Sequence, residues 1–141
     1  MPAVYEYSHT VTDDDIDGQG HVNNLVYLKW MQSAAVDHSK AQGWPGSRYR
    51  ESGAGWVVRS HQIEYHGPAF AGDEIVVRTW VADMKKITSL RKYKIVRPAD
   101  DTLLAIAQTN WAYLGMQHRV PRRIPPEVAE AFIVLDDPDE P

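Results

Sequence analysis

Cysteine is absent from the 141 residues. That removes disulfides, thiolate metal sites and a cysteine nucleophile together. Long apolar runs are missing too, and none approaches the roughly 18 residues that a membrane-spanning helix needs. The opening "MPAVYEYSHT" has neither the basic start nor the apolar stretch of a secretory signal. These absences give the expectation of a soluble, cytoplasmic protein with no membrane partner. Positive charge is in deficit: 15 Lys and Arg stand against 19 Asp and Glu, a formal net charge of -4. The whole-molecule field therefore does not favour nucleic acid, which is excluded as a partner. Phe occurs only twice, but five Trp and seven Tyr supply unusual aromatic weight for so short a chain. At 43% hydrophobic residues the chain can build one ordinary core. A single domain is expected over residues 1–135, followed by an acidic tail, "DDPDEP", at 136–141.

Several chemistries lack their residues. No G-x-S-x-G string is present, so a serine-hydrolase elbow is excluded. No His-x-x-x-His or His/carboxylate cluster appears, and His61 and His66, five apart on a strand pattern, face opposite sides; no metal site is expected. The "GAG" at 53–55 precedes a strand rather than a helix and reads as a turn, not a dinucleotide loop.

Periodicity sets the element order. Residues 3–11 alternate apolar and polar side chains and read as a strand. From Asn24 to about Gln42 the pattern is helical, with Tyr27, Trp30, Met31, Ala34 and Ala35 on one face. Asn23 or Asn24 is expected to cap this helix, since a short amide can accept from the free N–H groups of its first turn. Residues 43–55 read as an irregular connection with one helical turn. Strands follow at 56–66, 73–84, 87–96 and 102–114, with the turn-rich "RPADD" joining the last two. A short helix opening on proline is expected in "PPEVAEAF". One long helix and a meander of strands give an α+β class, the sheet curling around the helix.

Ahead of that helix lies the most informative stretch, Asp15-Ile16-Asp17-Gly18-Gln19-Gly20-His21-Val22-Asn23-Asn24-Leu25-Val26-Tyr27. Hydrolysis of an activated acyl group needs a base or nucleophile, which a carboxylate can be, and donors for the developing oxyanion. The start of a helix offers such donors, because its early N–H groups are unpaired and its dipole favours negative charge. Asp17 precedes Asn24 by seven residues with glycines between, so the loop can fold its carboxylate back toward the helix start. As an isolated Asp-Gly, Asp17 would be a turn residue. Asp13, Asp14 and Asp15 read as a solvated loop, with Asp15 able to hydrogen-bond the turn.

This stretch resembles the D-x-D-x-x-G-H-V-N-N-x-x-Y signature of hotdog-fold acyl-CoA thioesterases, close to the 4-hydroxybenzoyl-CoA thioesterase branch. "IEYHGPAFAGDEIVVRTWV" and "RVPRRIPPEVAEAF" continue the likeness, which spans residues 4–133. The resemblance implies an antiparallel sheet wrapped around one long central helix. It implies thioester hydrolysis without a cofactor, on an acyl-CoA or an acyl carrier protein thioester. It also implies a homodimer or homotetramer in which a second subunit completes the cleft. Asp17 takes the position of the catalytic carboxylate, and the N–H of Asn24 that of the donor polarising the carbonyl. His21 matches a functional position of plant relatives and is read as catalytic or as loop packing. Glu64 also matches an acidic position of plant relatives; as a strand residue it reads as surface. Asn23 and Tyr27 are read as substrate contacts, against the alternatives of capping and core packing.

Basic residues cluster in 85–97 (Lys85, Lys86, Arg91, Lys92, Lys94, Arg97) and again at Arg119, Arg122 and Arg123. Either they form a solvated face or some of them, Lys85, Lys86, Arg122 and Arg123 foremost, hold the phosphates of coenzyme A. Two other readings remain beside hydrolysis: a non-catalytic acyl-thioester binding protein, and a hotdog dehydratase or hydratase, whose His-centred motif this sequence lacks.

Overall fold

The computed structural model describes residues 3–135; the acidic tail expected at 136–141 lies outside them. In chain order the elements are β1 (Tyr5–Thr10), α1 (Asn24–Ala41), α2 (Gly46–Ser52), β2 (Ala54–Tyr65), β3 (Glu74–Val81), β4 (Thr88–Arg97), β5 (Thr102–Gly115) and α3 (Pro126–Ala129). The five strands make one antiparallel sheet in the order β1-β3-β4-β5-β2. The α+β class and the helix-wrapping sheet agree with expectation.

A plain meander does not. Strands β3, β4 and β5 do pair in succession, but β2 joins the far edge beside β5. Both sides of β3 are taken by β1 and β4, and β2 pairs along the remaining side of β5. The other difference is α2. Seven helical residues stand where a single turn was expected, and Gly53 ends them in a left-handed conformation at φ 81. Only Tyr49 of this helix is buried, so no apolar stripe marks it in the sequence.

Helix α1 carries the expected face. Tyr27, Trp30, Met31, Ala34 and Ala35 are buried, and His38 extends the stripe by one more turn. Tyr27, Trp30, Met31 and Ala34 meet Ile75, Val77, Tyr93, Ile95 and Leu104 from the sheet. Each large apolar group so buried contributes about 1.5–3 kcal/mol. A second apolar cluster, Trp44, Tyr49, Tyr113, Ile124 and Val128, fills the other end of the molecule. The chain after β5 straps that end. Arg122 N–H donates to Tyr113 O (3.0 Å), Ile124 N–H to Lys86 O (2.7 Å) and Leu135 N–H to Val81 O (2.8 Å).

Candidate active site

The loop between β1 and α1 is fixed from both sides. Residues 13–15 form a turn of 3-10 helix. The Asp15 carboxylate Oδ2 lies 3.0 Å from His9 Nε2 and accepts from Thr12 N–H at 3.0 Å. Burial alone would raise the Asp15 pKa, but the hydrogen bonds from His9 and Thr12 outweigh it and hold the carboxyl below the usual carboxylate range. Asp15 thus ties the loop to β1. On the other side, Val22 N–H donates to Ala69 O (2.8 Å) and Asn23 N–H to Asp15 O (2.9 Å).

Between these anchors, Ile16 and Val22 pair as an isolated antiparallel bridge, and both side chains face the core. The intervening residues close into a tight loop. Asp17 N–H donates to His21 O (3.0 Å) and Gly20 N–H to Asp17 O (3.1 Å). Gly20 sits at φ 84, in the left-handed region that a side chain disfavours. Asp17 Oδ1 accepts from Gln19 N–H at 2.8 Å. Among the described residues, Oδ2 has no partner. The loop therefore presents a half-exposed, oriented carboxylate at its base, beside His21 and seven residues ahead of the helix.

Asn23 is the N-cap. Its side-chain oxygen accepts from Leu25 N–H at 2.9 Å, and its carbonyl accepts from Val26 N–H at 2.9 Å. These bonds skip the first helical residue. Among the described residues, the Asn24 N–H has no acceptor, and Asn24 is exposed. Tyr65, at the end of β2, donates its hydroxyl to Asn24 O (2.9 Å) and meets Tyr27 edge-on, with ring centroids 5.1 Å apart. Sequence reasoning missed Tyr65. Its place at the end of a strand, just before the Gly67-Pro68 break, was the only signal. Tyr27 itself is buried, packs against Trp30 with the rings tilted by 43° and donates to Gly67 O at 3.3 Å. It supports the helix start from within the core.

The other candidates lie elsewhere. Ile63 and Tyr65 face the helix, so Glu64 between them faces the outer side of the sheet. There it borders a shallow depression with Gln62, Lys94 and Gln108, its Oε1 3.6 Å from His66 Nε2. Lys85 and Lys86 occupy the β3–β4 connection, and Arg122 and Arg123 the strap behind β5; the Lys86–Ile124 backbone bond joins the two segments. This basic group is one cluster, but it lies about 30 Å along β5 from the end that carries Asp17. Two members of the 85–97 run do not belong to a solvated face. Arg97 is paired with Asp73 (3.0 Å) and Asp100 (2.9 Å). Arg91 is buried, because β4 alternates and its odd-numbered positions point inward.

A cavity of about 290 Å³ opens beside the second half of α1, between Ala35, Val36 and Ser39 and the inner face of the sheet. It is about 20 Å along the helix axis from Asn24.

The sequence from residue 11 to 132 matches the model of the thioesterase-like superfamily. The chain belongs to that family. Its relatives include the acyl-CoA thioester hydrolase YbgC of Escherichia coli, 23% identical over 119 residues, which are 84% of this chain and 88% of that protein. Among solved structures, Slr0204 of Synechocystis, a 1,4-dihydroxy-2-naphthoyl-CoA thioesterase, superposes with a TM-score of 0.86 at 22% identity, covering 96% of this chain and 99% of that one. The gentisyl-coenzyme A thioesterase BH1999 gives 0.82 at 20% identity, over 91% and 99%. Those two likenesses establish the hotdog fold. Membership of the thioesterase-like superfamily supports thioester hydrolysis as the activity class. Among the described residues, no helix is long and apolar enough to cross a membrane.

Proposed function

We propose that this protein hydrolyses an acyl-CoA thioester, with Asp17 as the general base or nucleophile and the Asn24 N–H as the donor to the carbonyl oxygen. One observation carries the reading. The same short loop offers a carboxylate with one oxygen engaged and one free, and a cap that leaves the first helical N–H unpaired. With the thioester carbonyl on that N–H, its carbon becomes electrophilic. In the general-base form, Asp17 takes a proton from water as the oxygen attacks. The tetrahedral oxyanion then collapses, the C–S bond breaks, and the proton held on Asp17 leaves with the CoA thiolate. His21 borders the loop beside Asp17, and Asn23 holds the helix start in place.

The acyl group needs an apolar seat, yet within one chain the large cavity stands about 20 Å from Asn24. A second copy placed alongside α1 would bring a cavity, and the basic group of Lys85, Lys86, Arg122 and Arg123, to the Asp17 loop. We therefore assign a homodimer or a homotetramer. Exposed Leu25 and Val36, eleven residues apart on one side of α1, support this.

The test is thiol release from short, long, branched and aromatic acyl-CoAs, by wild type and by Asp17→Asn. The variant keeps the volume and can still accept the Gln19 N–H, so a turn role would survive. Loss of a positioned base should lower kcat by about 100-fold or more. Asp15→Asn should lower kcat far less, because Asp15 acts on the loop through His9 and Thr12. A folded Asp17→Asn variant turning over its best substrate at the wild-type rate would reject the mechanism. Retention of acyl-CoA without thiol release by the wild type would favour a binding protein instead.

A further inference from the structure

The cavity beside α1 has a chemical character of its own. Its walls are apolar and aromatic: Trp56, Met84, Trp111, Met116 and Phe132 contribute. Arg91 also lines it, from the inner face of β4. Its guanidinium is buried yet faces no carboxylate among the described residues. Nη1 is 2.9 Å from His38 Nδ1 and donates to Thr79 Oγ1 at 3.1 Å; both partners are uncharged acceptors. His38 is held neutral, with its pKa lowered to about 4 by burial first and then by the Arg91 charge. Its Nδ1 is therefore the acceptor and its Nε2 carries the proton. Phe132 lies over the guanidinium at 5.8 Å.

An arginine does not shed its proton to escape burial. A buried cation held only by neutral groups is costly, and the cost is relieved when an anion joins it. Asp and Glu fill that role in most proteins. Here the buried cation borders an open cavity whose other walls are mainly apolar and suit a hydrocarbon body, with Ser39, Ser89 and the exposed Arg50 as polar members. We propose that this cavity is a binding site for a compact carboxylate with an apolar body, the carboxylate on Arg91 and the body against the indole and methionine walls. The size, about 290 Å³, admits a small aromatic acid or a short acyl chain rather than a long fatty tail. The carboxylate can belong to a free acid or to the far end of an acyl group on CoA. Only the second source rests on the thioesterase reading.

Two arms test this. In the first, Trp56 and Trp111 report occupancy by fluorescence, and phenylacetate is titrated against its neutral isostere phenylacetamide. Phenylacetate should bind at least about tenfold more tightly, and Arg91→Met should abolish the difference. Met116→Glu, a change at an exposed position that lines the cavity, should weaken phenylacetate more than phenylacetamide without unfolding the protein, so a misfolded Arg91 variant would not stall the test. In the second arm, adipoyl-CoA is compared with hexanoyl-CoA in the wild type. A preference of about tenfold or more in kcat/KM for adipoyl-CoA would place the carboxylate on the acyl group. Equal binding of phenylacetate and phenylacetamide, together with no preference between the two thioesters, would overturn the proposal. The first arm needs no turnover, so a protein inactive on every thioester could still bear out the site.

Discussion

At the scale of single residues, the contacts of His9 and His38 differ in kind. His9 holds Asp15 at the surface of the loop, whereas His38 lies inside, stacked on Tyr5 at 5.2 Å and against Arg91. His38 has a folded pKa of about 4 against 6.5 when unfolded. Between those values the unfolded chain binds the proton and the folded chain does not. Stability is thus fully present above pH 6.5, falls as the pH drops toward 4, and changes no further on this account below it. The span corresponds to roughly 3 kcal/mol at most. Thermal melts from pH 7.5 to 4.5 should show this decline. His38→Gln, which keeps an acceptor for Arg91, should flatten it, leaving the smaller contribution of His61, whose burial also lowers its pKa. An unchanged slope in that variant would remove His38 as the cause. The sequence singled out Asp17, because it stands in a glycine-bearing loop just ahead of a helix, where a carboxylate suits a turn and can also serve as a base. It did not show His38 and Arg91 as partners. They lie 53 residues apart and meet only once β4 is seated across the helix.

Among elements, α1 was the most legible and α2 the least. The stripe from Tyr27 to Ala35 and the two asparagines at its head state both the buried face and the start of α1. Asn23 completes the picture as the cap whose oxygen takes the Leu25 N–H. Asn23→Ala should cost about 1 kcal/mol, a lowering of Tm by about 3 °C, while Asn23→Asp or Asn23→Ser should restore most of it. Calorimetry of the three variants checks the order. If Asn23 touched substrate instead, the three would share their loss in KM rather than separate in Tm. For α2 the signal was missing for a physical reason. A seven-residue helix with one buried side chain draws its order from Tyr49 packing against Trp44 and Tyr113, contacts that no local pattern encodes. Strand positions were legible from alternation to within three residues, the largest error being the end of β3 at Val81, but their pairing order was not, since alternation says which face is buried and not which neighbour is beside it.

For the whole molecule, the distribution of parts is the lesson. Asp17, the cavity and the basic group are each well formed, and one chain holds them at separate places. In the proposed assembly they meet at one site, so size-exclusion chromatography with light scattering at micromolar concentration should return a dimer or tetramer. A folded, active monomer would contradict the composite cleft. Replacing Arg122 and Arg123 together by Ala should raise KM for acyl-CoA several-fold and weaken its dependence on salt, with kcat changed less. Steady-state kinetics at low and high ionic strength provide the reading, and an unchanged KM there and in a Lys85→Ala, Lys86→Ala variant would remove the phosphate assignment.

The position of β2 has a consequence for how the protein is made. Among the described residues its only strand partner is β5, so the paired residues, Tyr65 with Ala105 and Ala54 with Gly115, are roughly 40 to 60 residues apart in the chain. During synthesis at about 5–20 residues per second, β2 leaves the ribosome several seconds before its partner exists. Over that interval a twelve-residue strand with Trp56, Val57, Val58 and Ile63 has open backbone on both edges. The nascent chain is most exposed to mispairing, and most in need of a holding chaperone, after β2 has emerged and before β5 has closed the sheet.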